Sequence, residues 1–398
     1  MNSELQHNYQ NLCVILCSNE GNPSGMEIVS SQWNSLVALA RSEGVAPLLY
    51  ARMKDGSSES NIPEECLETL KAEYYRTAAQ NALLFVELNR FLTAFQSANI
   101  PTVVLKGLDL AQTLYGNPAL RPMGDIDVLI PERCLEQAIS IVEDLGYEPE
   151  EAWAMPEIRS GLKRLLFFEA NFDGGKNANV HFELHWSLVA PRGNRYSPDI
   201  EWFWKGTRQA SLNGLPALVL TPTRNVLFLA GHLMLKHIAF KHGEDRTCLR
   251  WYYDLHLLIE QNYDVIDWDE IVAQANRTRW QTVLLLALQA VKSRFNTRLP
   301  DGLLGDLASF SDRKLMRQLD NGQVRNSTRF STSMEDFGNM YWQTRFWLLW
   351  GLIFPEKEYM IWRYKPDPTW LWPLCFFYRW FDIISDGTRT VIQRLISE

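Results

Sequence analysis

Between Thr102 and Pro131 the chain passes from a short β-branched run into a helix, through a turn, and out along a second apolar strand. Thr102-Val103-Val104-Leu105 has the composition of a buried strand and breaks at Lys106-Gly107. A helical pattern follows through Leu108, Ala111, Leu114 and Tyr115. Gly116-Asn117-Pro118 then turns the chain through Arg121-Pro122-Met123-Gly124 into Asp125-Ile126-Asp127-Val128-Leu129-Ile130. Side chains alternate across a strand, so Asp125 and Asp127 are expected on one face, with Ile126 and Val128 packed on the other. Two carboxylates at the mouth of an apolar strand make a seat for a hard cation such as Mg²⁺, whose shell is completed by water and phosphate. Alone, Asp-x-Asp is more often a solvated turn; the order of elements around it sets this copy apart.

That order resembles the polymerase β-type nucleotidyltransferase superfamily, and within it the bacterial uncharacterised nucleotidyltransferase family. The family pattern reads L-K-G, a helix ending in Tyr, then R-P-M-x-D-I-D-L-L-V. Here it is met by Leu105-Lys106-Gly107, Tyr115, Arg121-Pro122-Met123 and Asp125-Ile126-Asp127-Val128-Leu129-Ile130. In the wider superfamily the first turn is usually Gly-Ser or Gly-Gly; here it is Lys-Gly. The resemblance implies an α+β fold: a nucleotidyltransferase core with a small mixed sheet, flanked by N-terminal helices and a C-terminal helical region. It implies an enzyme that moves a nucleoside monophosphate from an NTP to a hydroxyl-bearing acceptor, with pyrophosphate leaving. Mg²⁺ or Mn²⁺ would be held by Asp125, Asp127 and Glu183, and the triphosphate by Lys106, Gly107 and Arg121. The acceptor could be a small molecule, a protein or RNA. The alternative is a catalytically silent scaffold that keeps the fold.

Glu183 comes from a second strand-like run, Val180-His181-Phe182-Glu183-Leu184-His185-Trp186. Val180, Phe182, Leu184 and Trp186 alternate onto one face, while His181, Glu183 and His185 share the other. The superfamily places its third acid on such a neighbouring strand, and the family carries a similar acid-Leu-His-Trp signature. His-x-Glu-x-His also permits zinc, but an Asp-x-Asp partner favours a carboxylate site for Mg²⁺. His185 is expected to orient Glu183 or substrate. Glu169, on the preceding strand, is expected to take no part.

With 398 residues, the chain has room for two or three domains or for one core with helical additions. Its net charge of −8 does not favour long nucleic acid bound by backbone neutralisation, which weighs against a template polymerase. Six scattered cysteines without a C-x-x-C pair read as free thiols. Met1 to Gln10 lacks a signal-peptide core, and no apolar run reaches the roughly 20 residues of a membrane span, so the expected compartment is the cytoplasm with no transmembrane segment.

The remaining organisation follows from periodicity. Residues 1–98 read as a helical cap, with amphipathic stretches at Trp33–Ala40 and, after Pro63, at Cys66–Phe95. Residues 99–222 form the core. It includes a helix at Glu132–Leu145, a hairpin of Arg164–Ala170 and Asn179–Leu188 turning at Asp173-Gly174-Gly175-Lys176, and a ribbon ending at Leu220. A helical bundle is expected at 223–300. Its first helix, capped by Thr221, presents His232, Lys236, His237 and Lys241 as a cationic face for phosphates or solvent. Its next segment, with Arg250, Asp254 and His256, resembles the family's L-R-W-x-x-D-L. Residues 296–335 are polar and read as a linker. The region 336–398 is aromatic, with seven of the fifteen tryptophans between Trp342 and Trp380. It is expected to pack on the bundle; the sharper reading is a membrane-surface or partner contact.

Overall fold

The computed structural model describes residues 3–17, 28–54, 62–150, 167–175, 180–239, 248–312, 315–316 and 337–381. Among these residues seven strands form one mixed sheet: β1 Val103–Val104, β2 Asp125–Leu129, β3 Tyr147–Pro149, β4 Glu169–Gly174, β5 Val180–His185, β6 Thr207–Leu212 and β7 Leu215–Leu220. Their spatial order is β3-β4-β5-β2-β1-β7-β6. The two strands read most clearly from sequence sit side by side at the centre, with β2 parallel to β5. β1 pairs antiparallel with β2 and parallel with β7. The β6–β7 ribbon turns at Asn213-Gly214, both at positive φ (51° and 84°), which matches the twist of the flanking strands. The α+β class with a mixed sheet is therefore as expected.

One face of the sheet is apolar. Val104, Ile126, Val128, Phe172, Phe182, Leu184 and Val219 are buried there, under helix α6 (Leu135–Asp144) and the second half of the long helix α4 (Glu64–Ser97). Pro63 stands extended at the N-cap of α4, and Glu64 and Glu65 in its first turn oppose the positive helix end. Phe91 of α4 stacks on Phe182 with ring centroids 3.9 Å apart, and Tyr147 tilts against it at 4.9 Å. Each such buried ring contributes roughly 1.5–3 kcal/mol relative to exposure.

A second core lies beyond the other face. Helices α1 (Ser3–Cys17), α2 (Trp33–Ser42) and α3 (Ala46–Met53) share it with the helices Pro222–Gly231, Leu249–Asn262, Trp268–Thr278 and Gln281–Phe295. Thus α1 to α3 join the later helices, and α4 is the N-terminal helix that packs on the sheet. Trp280 is fully buried here, and its ring lies so close to Gly231 that a Cβ at that position would overlap it. After Gly231 the helix continues as a π-helical stretch, His232–Ala239, a rare geometry that is frequent at functional sites.

Several expectations change. The β4–β5 hairpin carries its first strand through Asp173-Gly174, which pair with His181 and Val180, so Asp173 belongs to the strand and not the turn. Gly174 (φ 153°) is required because a Cβ there would come within 2.6 Å of the Gly146 carbonyl on the neighbouring strand connection. Residues 164–166 and Lys176 lie outside the described residues, as does Lys241; of His237 only the backbone is described. Thr221 has the extended N-cap conformation, but its hydroxyl makes no cap bond. The polar stretch after Asn296 is partly folded: Leu303–Ser309 is a helix whose Leu303 and Leu307 are buried in the second core. The aromatic region after Tyr341 leaves many large rings exposed in place of the expected packing on the bundle. Among the described residues, no helix is long and apolar enough to cross a membrane.

Candidate active site

The parallel pairing of β2 and β5 builds the site. Asp125 stands opposite His181, Asp127 opposite Glu183 and Leu129 opposite His185, so the polar alternates of the two strands share the face away from the apolar core. Asp127, Glu183 and His185 are buried, and one ligand atom from each lies within 4.8 Å of the others. His185 Nε2 is 3.1 Å from Asp127 Oδ1 and 3.3 Å from Glu183 Oε2. Asp125 is partly exposed at the outer end of the same face.

Two ammonium groups enter this cluster. Lys106 opens helix α5 (Lys106–Thr113) at a φ of 40°, a left-handed conformation that costs a non-glycine residue energy. Its Nζ lies 2.7 Å from Asp127 Oδ1, 3.7 Å from Glu183 Oε2 and 3.1 Å from His232 Nε2. Lys236, one α-helical turn beyond His232 in sequence, donates to Glu169 Oε2 at 2.9 Å and Glu183 Oε2 at 3.2 Å. The cationic face read from sequence at His232 and Lys236 therefore closes over the carboxylates.

Proton affinities follow from this packing. Asp125 is pushed up to about 6, by burial first and then by the negative charges of Asp127 and Glu183. Burial also works against ionised Glu183, but Lys106 and Lys236 overcome it and hold its carboxyl well below the usual range. Burial opposes the imidazolium of His185, and hydrogen bonds to Asp127 and Glu183 outweigh it, raising the group above its ordinary value. Lys106 is raised as well: burial opposes its charge, and Asp127, Glu183 and Asp125 together outweigh it.

Glu169, excluded on sequence grounds, belongs to the cluster. It stands opposite His185 on antiparallel β4, and its Oε2 is 3.3 Å from His185 Nδ1. That nitrogen is buried and makes no well-aligned hydrogen bond, so Glu169 acts on it through charge. The signal was present: Glu169, Asn171 and Asp173 alternate with Ala170 and Phe172. Assigning Asp173 to a turn hid that alternation.

The residues assigned to the triphosphate are placed differently from one another. Arg121 is buried, and its Nε and Nη2 donate to the two carboxylate oxygens of Asp254 at 2.9 and 2.8 Å. Tyr115 adds its hydroxyl to Asp254 Oδ1 at 2.7 Å. This pairing commits most of the Arg121 fork to the helix Leu249–Asn262 and ties the family-like Asp254 to the core motif. A Cβ on Gly107 would stand 3.1 Å from Met123 Sδ, so its bareness serves packing against the Arg121-Pro122-Met123 turn. His181 faces outward, with Nδ1 3.0 Å from Asp173 and Nε2 3.8 Å from Glu183.

The donor set fits a divalent cation. Carboxylate oxygens of Asp127 and Glu183 converge with an imidazole nitrogen, and a further carboxylate stands behind the far nitrogen of that imidazole, as metal-binding histidines commonly have it. The buried Lys106 and half-buried Lys236 ammonium groups already supply positive charge at the same carboxylates.

The chain resembles the solved structure of the antibiotic-resistance factor ANT(2'')-Ia at 14% identity and a TM-score of 0.34, over 52% of this chain and 96% of that one. It resembles the lincomycin-bound lincosamide antibiotic adenylyltransferase LnuA at 18% identity and a TM-score of 0.29, over 43% of this chain and 94% of that one. An antigenic nucleotidyltransferase-like protein from Paracoccidioides brasiliensis is similar at 11% identity and a TM-score of 0.30, over 54% and 93% of the two chains. No curated protein matches the sequence. A model of a family described as uncharacterised nucleotidyltransferase matches residues 30–296, about two thirds of the 398 residues, from α2 through the Gln281–Phe295 helix. The chain belongs to the uncharacterised nucleotidyltransferase family.

Proposed function

We propose that this protein transfers a nucleoside monophosphate from an NTP to a hydroxyl-bearing acceptor, using Mg²⁺ or Mn²⁺ held by Asp125, Asp127 and Glu183. The observation that carries the reading is the pairing of Asp127 with Glu183 on adjacent parallel strands, with Lys106 and Lys236 converging on Glu183. When bound, the metal would neutralise phosphate charge and favour the alkoxide form of the acceptor. His185, set between Asp127 and Glu183, fixes both carboxylates, and Glu169 behind it sets the charge of the imidazole. Lys236 and Lys106 exchange their carboxylate partners for phosphate oxygens as the triphosphate enters. Each is a flexible point charge suited to that exchange. Arg121 acts at a distance: paired with Asp254 and Tyr115, it holds the turn that leads into Asp125. In this reading residues 99–222 are the catalytic core, and the helices at 223–300 supply the lysine and histidine that close it.

The test is transfer itself. Each NTP labelled at its α-phosphate is incubated with the protein, Mg²⁺ or Mn²⁺, and a fractionated cell extract as acceptor source. Label carried into an acceptor, and lost in a folded Asp127→Asn variant, is the expected result. Absence of transfer from every NTP, with no pyrophosphate released, would leave the silent-scaffold alternative.

A further inference from the structure

The segment from Tyr341 to Phe381 takes no part in the site. Its root is fixed: the Tyr341 amide donates to the Gly193 carbonyl at 3.0 Å, and the Arg195 amide to Asn339 at 2.8 Å. Beyond this root it has a small core of its own, Tyr359, Met360 and Cys375. Around that core the aromatic rings point outward. In the helix Trp342–Ile353, Trp342, Phe346, Trp347 and Trp350 are 71, 52, 49 and 49% exposed, and Trp370 and Phe377 are 72 and 67% exposed. A helix this apolar in water lacks its solvent.

Charge and composition select what covers it. Residues 341–381 carry five basic side chains (Arg345, Lys357, Arg363, Lys365, Arg379) against three acidic ones (Glu356, Glu358, Asp367), a net +2. The whole chain is −8, which leaves −10 for everything else. The aromatic unit thus carries net positive charge in an acidic chain, with Lys357, Arg363 and Lys365 exposed, and a second copy seated on it would bring two net-positive units together. Tryptophan combines an apolar ring with a polar N–H, which favours the boundary between lipid headgroups and acyl chains. Pro355, Pro366, Pro368 and Pro373 divide the segment, and its longest helix among the described residues has 12 residues, short of the roughly 20 that a span requires. Such a unit lies on a bilayer and does not cross it.

We propose that the aromatic unit at Tyr341–Phe381 docks this protein on the surface of an anionic lipid bilayer. Its tryptophan and phenylalanine rings enter the headgroup–acyl boundary, and its exposed Lys357, Arg363 and Lys365 side chains meet the lipid phosphates. The acidic remainder of the chain faces away from the membrane. This proposal stands independently of the transferase reading.

The test uses the full chain and vesicles of phosphatidylcholine with or without phosphatidylglycerol. The protein should sediment with the anionic vesicles, less so as salt is raised, with tryptophan emission shifted to the blue and quenched by brominated acyl chains. Trp342→Ser/Trp347→Ser/Trp350→Ser should weaken binding by about tenfold or more, and Arg363→Glu/Lys365→Glu should remove most of the preference for anionic lipid. Should the triple variant misfold, quenching of the unaltered protein by brominated lipid decides the matter alone. Absence of both sedimentation and quenching would overturn the proposal. So would sedimentation velocity showing that the unaltered chain self-associates through this patch and the variants do not.

Discussion

Asp125 is a carboxylate placed where its charge is costly, so removing the charge should stabilise the protein. Burial and the neighbouring Asp127 and Glu183 raise it from an ordinary 3.8 to about 6. At about 1.4 kcal/mol for each tenfold change in proton affinity, ionised Asp125 costs the folded chain about 3 kcal/mol at neutral pH, less to the extent that water reaches the carboxylate. The sign follows from linkage. Below the ordinary value the carboxyl is protonated in both folded and unfolded chains. As pH rises from about 4 to about 6 the unfolded chain loses its proton first, and stability falls; above that the deficit is constant. Asp125→Asn mimics the protonated carboxyl at every pH. In chelator, urea unfolding at pH 4 should therefore separate variant and wild type little, while at pH 8 the variant should be more stable by up to about 3 kcal/mol. Glu183, held low by Lys106 and Lys236, has the opposite pH dependence but is present in both proteins. A variant equal to or less stable than wild type at pH 8 would refute the reasoning.

Three further outcomes follow from particular contacts. Asp254→Ala leaves the buried Arg121 guanidinium without its carboxylate and should cost about 3–5 kcal/mol in chemical denaturation. Gly231→Ala drives a methyl into the Trp280 ring and should cost about 1–3 kcal/mol, read by the same unfolding and by a shift in tryptophan emission. Glu169→Gln removes the charge behind His185 and the partner of Lys236, and should weaken Mn²⁺ binding by about tenfold or more with little change in melting.

The central strands were legible because a buried strand beside a polar site leaves a strict alternation. Val180 to Trp186 and Asp125 to Val128 both carry it, and the structure sets them next to each other. The short strands carry no alternation: β1, with two residues, was legible only from its β-branched composition, and β3, with three, not at all. Glu169 was missed because Asp173-Gly174-Gly175 has the composition of a turn, yet Gly174 stands in the strand to admit the Gly146 carbonyl. The partner of Arg121 was hidden for another reason. Asp254 lies 133 residues away, and no local pattern announces a pairing at that separation. The polar composition after Asn296 likewise concealed Leu303 and Leu307, too few apolar residues for a convincing helical period.

The central claim is that Asp127 and Glu183 hold a metal together with a triphosphate. Calorimetric titration of Mn²⁺, with and without a non-hydrolysable NTP, addresses it without knowledge of the acceptor. Wild type should bind Mn²⁺ weakly alone and more tightly with nucleotide, as phosphate oxygens complete the coordination shell. Asp127→Asn/Glu183→Gln, folded by circular dichroism, should show neither the heat nor the enhancement. Equal heats from wild type and the double variant would contradict the account.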